Sequence, residues 1–309
     1  MAYVVALARH GHFGEAAEHL NITQSALSQG IAALERQLGV RLFDRDRNGV
    51  RITAAGRLVV ERAEALLTGE AELRREIDLL RGLDTGIVSV GAGPHAGDLF
   101  VAPSLARLAA AYPGLQVRVS TGYFQEIFDL VLKGTIEVGV SDIAAWRSES
   151  RLEFTSLGRH PIVLACRPGH PLAGRRGVTL PEAWSYPLAA PLLTGAVAGA
   201  VPARCAAGRR DEATGHFIPA FCTESVPVAL AVARSSDAIF AGPMALIRPD
   251  LDAGRLVTVD VSLAAIDLEY GAYTLRGRTL SRAASGFLAY LQDVAAEIAQ
   301  HPAVAAHQP

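Results

Sequence analysis

The sequence predicts an α/β protein with three parts: an N-terminal winged helix-turn-helix, a long linker helix and a two-lobed α/β domain. Three observations support this fold class. Between residues 13 and 39, two segments with the helical hydrophobic period flank a short polar turn. A heptad-like apolar seam then runs from Thr53 to about Leu83. From Gly86 onward, apolar strands alternate with amphipathic helices, which is typical of a parallel sheet covered on both faces.

The helix-turn-helix is the most informative segment. Its first helix is predicted from about Gly14, as N-cap, to Leu20, and its second begins after a turn that ends at Thr23, which can cap it. The buried face of the second helix is predicted to comprise Ala26, Leu27, Ile31, Leu34 and Leu38. The short polar side chains on its exposed N-terminal face suit base edges in the DNA major groove. We therefore assign its DNA contacts to Thr23, Gln24, Ser25, Ser28, Gln29 and Arg36.

A β-wing follows between residues 38 and 53. The pattern is a short apolar strand, a turn at Asn48-Gly49, which is a strong hairpin signal, and a second short strand. Arg45, Arg47 and Arg51 give the wing cations suited to phosphate or the minor groove. The alternative is an ordinary helical hairpin that contacts no DNA, and the wing argues against it.

These residues resemble the LysR-type transcriptional regulators. The resemblance spans Tyr3 to Leu66, and the layout of the remaining chain is also what the family would show. It rests on the motifs Ala16-Ala17, Gln24 to Gln29, Leu34-Glu35, Leu38 to Phe43 and Thr53 to Gly56. It implies a sequence-specific regulator of transcription that is controlled by a small-molecule effector bound in a periplasmic-binding-protein-like, two-lobed domain.

Composition limits the other functional classes. The chain has 309 residues, half of them hydrophobic, and a formal net charge of -2. Residues 1 to 58 nevertheless carry seven arginines against five acids, a locally positive balance that fits modest DNA affinity. No signal peptide and no spanning segment is visible, so we expect a cytoplasmic protein without a membrane partner.

The three cysteines leave one alternative open. Cys166, Cys205 and Cys222 are widely spaced and match no zinc pattern, so buried small side chains are the favoured interpretation. A thiol redox-sensing regulator of the same architecture is the alternative, because Cys205 and Cys222 fall in one predicted lobe. No catalytic, metal or cofactor motif is found, which argues against an enzyme; a solute-binding protein would need an export signal and no winged helix.

The linker helix is predicted to pair two subunits. A helix this long is marginal alone, and its apolar residues recur at alternating spacings of about three and four. The alternative is that the seam packs on the effector domain of its own chain. The predicted seam consists of Val59, Ala63, Leu66, Leu73, Ile77 and Leu80.

The predicted domains follow from these patterns. The winged helix-turn-helix covers 1–58, the linker 53–85, lobe 1 residues 86–165 plus 266–300, lobe 2 residues 166–265, and a tail 301–309. The strands are predicted at 87–91, 115–121, 136–140, 154–157, 161–166, 188–190, 217–222, 238–241, 255–261 and 268–275. The helices of the two lobes are predicted at 99–112, 125–133, 197–207, 226–234 and 280–299.

Ligands in open α/β sheets bind at the carboxyl ends of strands and near helix N-termini. Hydroxyls and backbone amides at these ends predict a small polar or anionic metabolite; the alternative for Thr223 and Ser225 is that they serve only as helix caps. The expected effector contacts are Pro94, His95, Tyr123, Phe124, Ala144, Thr194, Gly195, Thr223, Ser225, Pro243 and Met244. The expected partners are inverted-repeat double-stranded DNA, a second copy in a homodimer or homotetramer, and RNA polymerase.

Overall fold

The computed structural model describes residues 1–46, 49–80, 87–261 and 267–300. The chain divides into two compact units, residues 1–83 and 84–309. Three predicted features lie outside the described residues: the tip of the wing with Arg47 and Asn48, the end of the linker at residues 81–85, and the tail at residues 301–309.

The N-terminal unit contains the predicted helix-turn-helix and wing, preceded by one more helix. The second helix ends in a turn in which Asn21 adopts a positive φ of 53°. Its N-cap is His12, not Gly14, because the chain is still extended at His12. The elements are α1 Ala2–His10, α2 Phe13–His19, α3 Gln24–Leu38, β1 Phe43–Asp46, β2 Gly49–Ile52 and α4 Ala54–Leu80.

The buried face of α3 is narrower than predicted. Leu27 and Ile31 are buried and Leu34 is half-buried, which gives a stripe with spacings of four and three. Ala26 is exposed because it lies one residue, or about 100°, away from Leu27 around the helix. Leu38, the last residue of α3, is also exposed. Both predictions of burial were wrong.

Two polar side chains fix α3 and α4 to the start of the wing. The Glu35 carboxylate accepts hydrogen bonds from the backbone amides of Leu42 and Phe43, at 2.7 and 3.2 Å. Thr53 Oγ1 donates to the Arg41 carbonyl at 2.8 Å and accepts from the Gly56 amide at 2.9 Å, so it caps α4. A Cβ on Gly56 would lie 2.1 Å from the Leu42 carbonyl oxygen, so only glycine permits this close crossing.

The second unit is built around one long mixed sheet. Its described strands lie in the order β11-β7-β12-β6-β14-β5-β3-β4, and β13 pairs with β6. The strands are β3 Ile87–Ala92, β4 Gln116–Thr121, β5 Val138–Asp142, β6 Leu152–Cys166, β7 Leu188–Ala190, β8 Arg204–Cys205, β9 Gly208–Arg210, β10 Phe217–Pro219, β11 Phe221–Cys222, β12 Ile239–Pro243, β13 Val257–Thr258 and β14 Asp267–Leu275.

Helices cover the sheet and complete two lobes. Lobe 1 contains β3 to β5 and β14, lobe 2 contains β7 to β13, and β6 pairs with strands of both lobes. A π-helix at Gly97–Val101 joins α5 to α6. The helices are α5 Pro94–Ala96, α6 Ala102–Ala111, α7 Phe124–Leu132, α8 Leu180–Ala183, α9 Gly195–Gly199, α10 Val226–Ser235, α11 Met244–Asp252 and α12 Arg282–Gln300.

The connection between the lobes is a continuous strand. The two strands predicted at 154–157 and 161–166 are one, β6. Its first part pairs antiparallel with β14, from Leu152 opposite Leu275 to Pro161 opposite Asp267. Its second part pairs antiparallel with β12 of lobe 2. The same backbone therefore belongs to both lobes.

Lobe 2 contains the main errors of the sequence prediction. The helix predicted at 197–207 is only α9, because Pro202 follows closely and Gly208, at φ 151°, starts a return strand. The strand predicted at 217–222 is divided between two sheets: β10 joins β8 and β9, and β11 joins β7. Helix α11 was missed because its interior Pro249 argues against a helix.

Candidate functional site

The exposed face at the start of α3 displays the predicted polar residues. Gln24, Ser25 and Gln29 are exposed and Ser28 is half-buried. Thr23 is exposed, and its Oγ1 accepts a hydrogen bond from the Ala26 amide at 3.2 Å, so it caps the helix as predicted. The face consists of hydrogen-bonding side chains on a rigid helix, which can meet the donors and acceptors of base edges. Arg36, further along, is exposed, and its Nε donates to the Ala32 carbonyl.

Of the three wing arginines predicted to contact DNA, only Arg51 has a described side chain. Arg51 is exposed on β2, and Arg45 stands opposite Val50 in the two-stranded ladder. Gly49 belongs to β2 and pairs with Asp46. The prediction that Gly49 forms part of the turn was therefore wrong. The Val50 amide donates to the Gly11 carbonyl at 2.9 Å, which ties the wing to the end of α1.

The linker helix α4 exposes large apolar side chains on the predicted seam. Leu66 and Leu73 are 60% and 58% exposed. Ala63 is buried and Val59 half-buried, because this part of the helix packs on the N-terminal core. The side chains of Ile77 and Leu80 lie outside the described residues. Along the described part of the seam, the side chains thus change from buried or half-buried to exposed.

A cavity of about 120 Å³ lies between the lobes of the second unit. The predicted residues that line it are Pro94, His95, Tyr123, Phe124 and Thr194. The other described lining residues were not among the expected effector contacts: Gly93, Ala96, Ser141, Asp142, Ile162, Pro191, Leu192, Leu193, Ala241, Leu268 and Tyr270. Most of the wall is apolar, which is usual for a small-molecule site.

The other predicted effector residues are not among those that line this cavity. Thr223 Oγ1 accepts from the Ser225 amide at 3.1 Å, so this pair organises the turn before α10. The Ala144 amide donates to Asp142 Oδ1 at 3.0 Å, so Ala144 helps to orient this carboxyl group. Met244 packs with α10 and lines a separate, wider groove. Gly195 begins α9, and Pro243 lies in the ladder opposite Ile162.

Burial controls the charge of the cavity. It lowers the pKa of His95 to about 4, so the imidazole is neutral at pH 7. It also raises the pKa of Asp142, against the opposing hydrogen bonds from the amides of Ala144 and Glu269. No arginine or lysine occurs among the described lining residues. The wall therefore carries one carboxyl group and no fixed cation, which does not suit an anionic ligand.

A side-chain contact between the lobes involves Tyr123, which lines the cavity. The Tyr123 hydroxyl of lobe 1 lies 3.8 Å from Cys222 Sγ of lobe 2. Burial and this contact raise the pKa of Tyr123 above its ordinary range. Cys166, Cys205 and Cys222 are all free thiols: buried, half-buried and exposed, respectively.

No group of three potential metal-ligating side chains occurs within the described parts of the chain. No described helix is long and apolar enough to cross a membrane.

A winged helix-turn-helix joined to a two-lobed domain with a cavity between its lobes defines a class of DNA-binding regulator that responds to small molecules. Residues 1–57 match the model of the bacterial regulatory helix-turn-helix proteins of the LysR family, and residues 81–296 match that of the LysR substrate binding domain. The chain belongs to the LysR family of transcriptional regulators.

Individual relatives agree with this assignment. The chain is 36% identical to the SDS degradation transcriptional activation protein of Pseudomonas sp. (strain ATCC 19151). The match covers 95% of this chain and 94% of that protein. The solved LysR-family regulator CbnR shares the fold, with a TM-score of 0.60, 20% identity and coverage of 95% and 97% of the two chains. A full-length OxyR variant of Pseudomonas aeruginosa has a TM-score of 0.57, 18% identity and coverage of 94% and 96%.

The low pKa of His95 predicts a loss of stability in mild acid. In the unfolded chain the His95 imidazole binds a proton near pH 6.5, whereas in the folded protein it does so only near pH 4. The free energy of unfolding therefore falls as the pH falls through this window. We expect His95→Gln to reduce that loss by about 1–3 kcal/mol. Thermal unfolding between pH 7 and 4 measures it, with His12→Gln at an exposed position as control. Equal pH profiles for wild type and His95→Gln would contradict the prediction.

Proposed function

We propose that this regulator binds an inverted-repeat operator as a homodimer and that a small molecule in the inter-lobe cavity controls it. Residues 1–58 contact DNA, the helix within 53–85 pairs the subunits, and the two lobes hold the effector. The observation that carries the DNA assignment is the row of exposed polar side chains at the start of α3. RNA polymerase is the further partner that transcriptional activation requires.

The two DNA-binding surfaces have different chemistry and therefore different roles. Gln29 and Gln24 are exposed amides, which can form paired hydrogen bonds with an adenine edge. Arg45, Arg47 and Arg51 of the wing supply charge, which binds phosphate without regard to sequence. We assign specificity to α3 and general affinity to the wing.

The first test separates these roles. Gln29→Ala removes base-edge hydrogen bonds, so it should cost about 1–3 kcal/mol on the preferred site and relax selection at one base step. Arg51→Ala should weaken all sequences alike and reduce the salt slope by about 1. Binding is measured across a site library at two or more salt concentrations. Gln37→Ala, exposed at the other end of α3, is the control. A uniform loss in Gln29→Ala would refute the assignment to base readout.

The exposed part of the linker seam supports dimerisation. Leu66 and Leu73 are seven residues apart, so they lie on one face of α4. Burying each leucine side chain stabilises an interface by about 1.5–3 kcal/mol. A symmetric pair of helices buries four such side chains, and the two DNA-binding heads then read two half-sites of opposite direction. Assembly of two dimers gives the homotetramer.

The second test disrupts the seam. Leu66→Asp combined with Leu73→Asp should yield a monomer with weak operator binding, because four carboxylates cannot be buried together. Light scattering measures the mass. Arg62→Asp adds the same side chain at a different exposed position and should leave the dimer intact. A dimeric double variant would exclude this face.

The inter-lobe cavity is the best supported effector site. It combines an apolar wall with a few polar groups from both lobes, including His95 of lobe 1 and Thr194 of lobe 2. The sequence led us to expect a polar or an anionic effector. The charge of the cavity wall favours a neutral polar one. The relative named for activation of SDS degradation supports an activator and makes amphiphiles the first compounds to screen.

The third test compares two threonines. Once a screen by thermal shift has found an effector, Thr194→Val should weaken its binding about tenfold, because a cavity hydroxyl is lost. Thr223→Val is the matched control, since Thr223 does not line the cavity. A wild-type response in Thr194→Val would show that the effector binds at another site. If that response is lost in Cys222→Ser, the thiol-sensing alternative gains support.

A further inference from the structure

Two polar side chains of the cavity wall face each other across neighbouring strands. Tyr270 of β14 stands directly opposite Asp142 of β5 in the antiparallel ladder. Directly opposite residues project from the same face of a sheet, with Cβ atoms about 5 Å apart. Both residues line the cavity. The phenol and the carboxyl group therefore lie next to each other in the wall of the cavity.

The position of Tyr270 depends on an irregularity in the sheet. The β6–β14 register shifts between Tyr270 and Gly271, and Gly158, which pairs with Tyr270, has a φ of 101°. Such bulges re-aim side chains. The Tyr270 ring packs against Phe100 and His160, at centroid distances of 5.4 and 5.7 Å. Phe100 and His160 also contact each other, with centroids 5.4 Å apart, so the three rings form one cluster that sets the orientation of Tyr270 before any ligand binds.

The Tyr270 hydroxyl has no hydrogen-bond partner among the described residues. Tyr270 is 2% exposed, and its oxygen is buried. A buried hydroxyl without a partner is destabilising unless something else satisfies it. The neighbouring buried tyrosine, Tyr273, differs, because its hydroxyl lies 3.1 Å from Ser141 Oγ. Of these two buried tyrosines, only Tyr270 lines the cavity, and only its hydroxyl lacks a described partner.

We propose that the cavity binds an uncharged, largely apolar molecule through one hydroxyl group, which accepts from Tyr270 and donates to Asp142. This inference rests on the proposed function of the cavity as the effector site. The apolar wall contacts the remainder of the molecule, and His95 Nε2, also buried without a described partner, offers a second polar contact.

Other ligand head groups satisfy this pair less well. A carboxylate or sulfate can accept from Tyr270, but it has no proton to donate to Asp142 and meets no cation among the described lining residues. An ammonium group can donate to Asp142 and to the Tyr270 oxygen, but it leaves the phenol proton without an acceptor and places a cation among apolar side chains. A hydroxyl group accepts from Tyr270 and donates to Asp142 without placing a net charge among apolar side chains.

The experiment uses four probes with one hydrocarbon chain: 1-hexanol, hexanoate, hexyl sulfate and hexylammonium. Titration calorimetry on the full-length protein measures their affinities. We expect 1-hexanol to bind at least tenfold more tightly than each charged probe. Absence of 1-hexanol binding, or tighter binding of a charged probe, overturns the inference.

Two variants test the contacts. Tyr270→Phe should weaken 1-hexanol binding about tenfold while leaving the thermal midpoint of the free protein unchanged or higher, because the lost hydroxyl has no described partner. A purely structural tyrosine would instead lower the midpoint. Asp142→Asn should weaken 1-hexanol by a smaller factor and improve hexanoate relative to wild type. Unchanged 1-hexanol affinity in Tyr270→Phe overturns the proposal.

A third variant separates this inference from the proposed function. Ala241→Leu adds volume to the cavity wall and should abolish binding of any probe held there. If a charged probe is preferred and Ala241→Leu abolishes its binding, the cavity is the effector site and the hydroxyl chemistry is wrong. If the binding of every probe survives Ala241→Leu in a variant with the wild-type thermal midpoint, the site lies elsewhere and both proposals fail.

Discussion

The ladder between β6 and β14 is the constraint on which the second unit depends. These strands pair antiparallel from Leu152 and Leu275 to Pro161 and Asp267, and β6 then continues into lobe 2 beside β12. Strand β6 therefore belongs to both lobes, and a ligand between the lobes lies next to β6 and its partner β14. The cavity residues Ile162 and Leu268 come from this crossing.

The same ladder determines the chemistry of the cavity. Its bulge at Gly158 directs Tyr270, and the β14–β5 register puts Asp142 opposite that tyrosine. A change of one residue in either register would move one partner to the other face of the sheet. The buried hydroxyl and the half-buried carboxyl group thus share one local environment, in which burial raises the pKa of both. That environment favours neutral hydrogen-bonding groups over charges.

Sequence reasoning succeeded where the signal was local. Thr23 caps α3 and Thr53 caps α4, and both are recognisable from one residue and the helix that follows. The wing and the strands of lobe 1 were similarly apparent from their periodicity. The failures needed long-range information: Tyr270 reaches the cavity through pairing with residues more than a hundred positions away. Nothing near Tyr270 in the sequence indicates that its hydroxyl is buried without a described partner. In contrast, Thr223 had a plausible strand-end position, but its hydroxyl is used by the local turn.

Effector control requires that the ligand distinguish two arrangements of the lobes, because a ligand with equal affinity for both shifts nothing. The cavity has the asymmetry that this needs. Tyr270 and Asp142 belong to the lobe 1 side, whereas His95 packs edge-on against Phe240 of lobe 2, and a Cβ at Gly242 would lie 3.2 Å from its Nε2. A hydroxyl group held by lobe 1 leaves the apolar part of the molecule to fill space against lobe 2. The polar contacts would then hold the molecule in either arrangement, while packing of its apolar part would favour the more closed one, by an amount that grows with the apolar surface it buries.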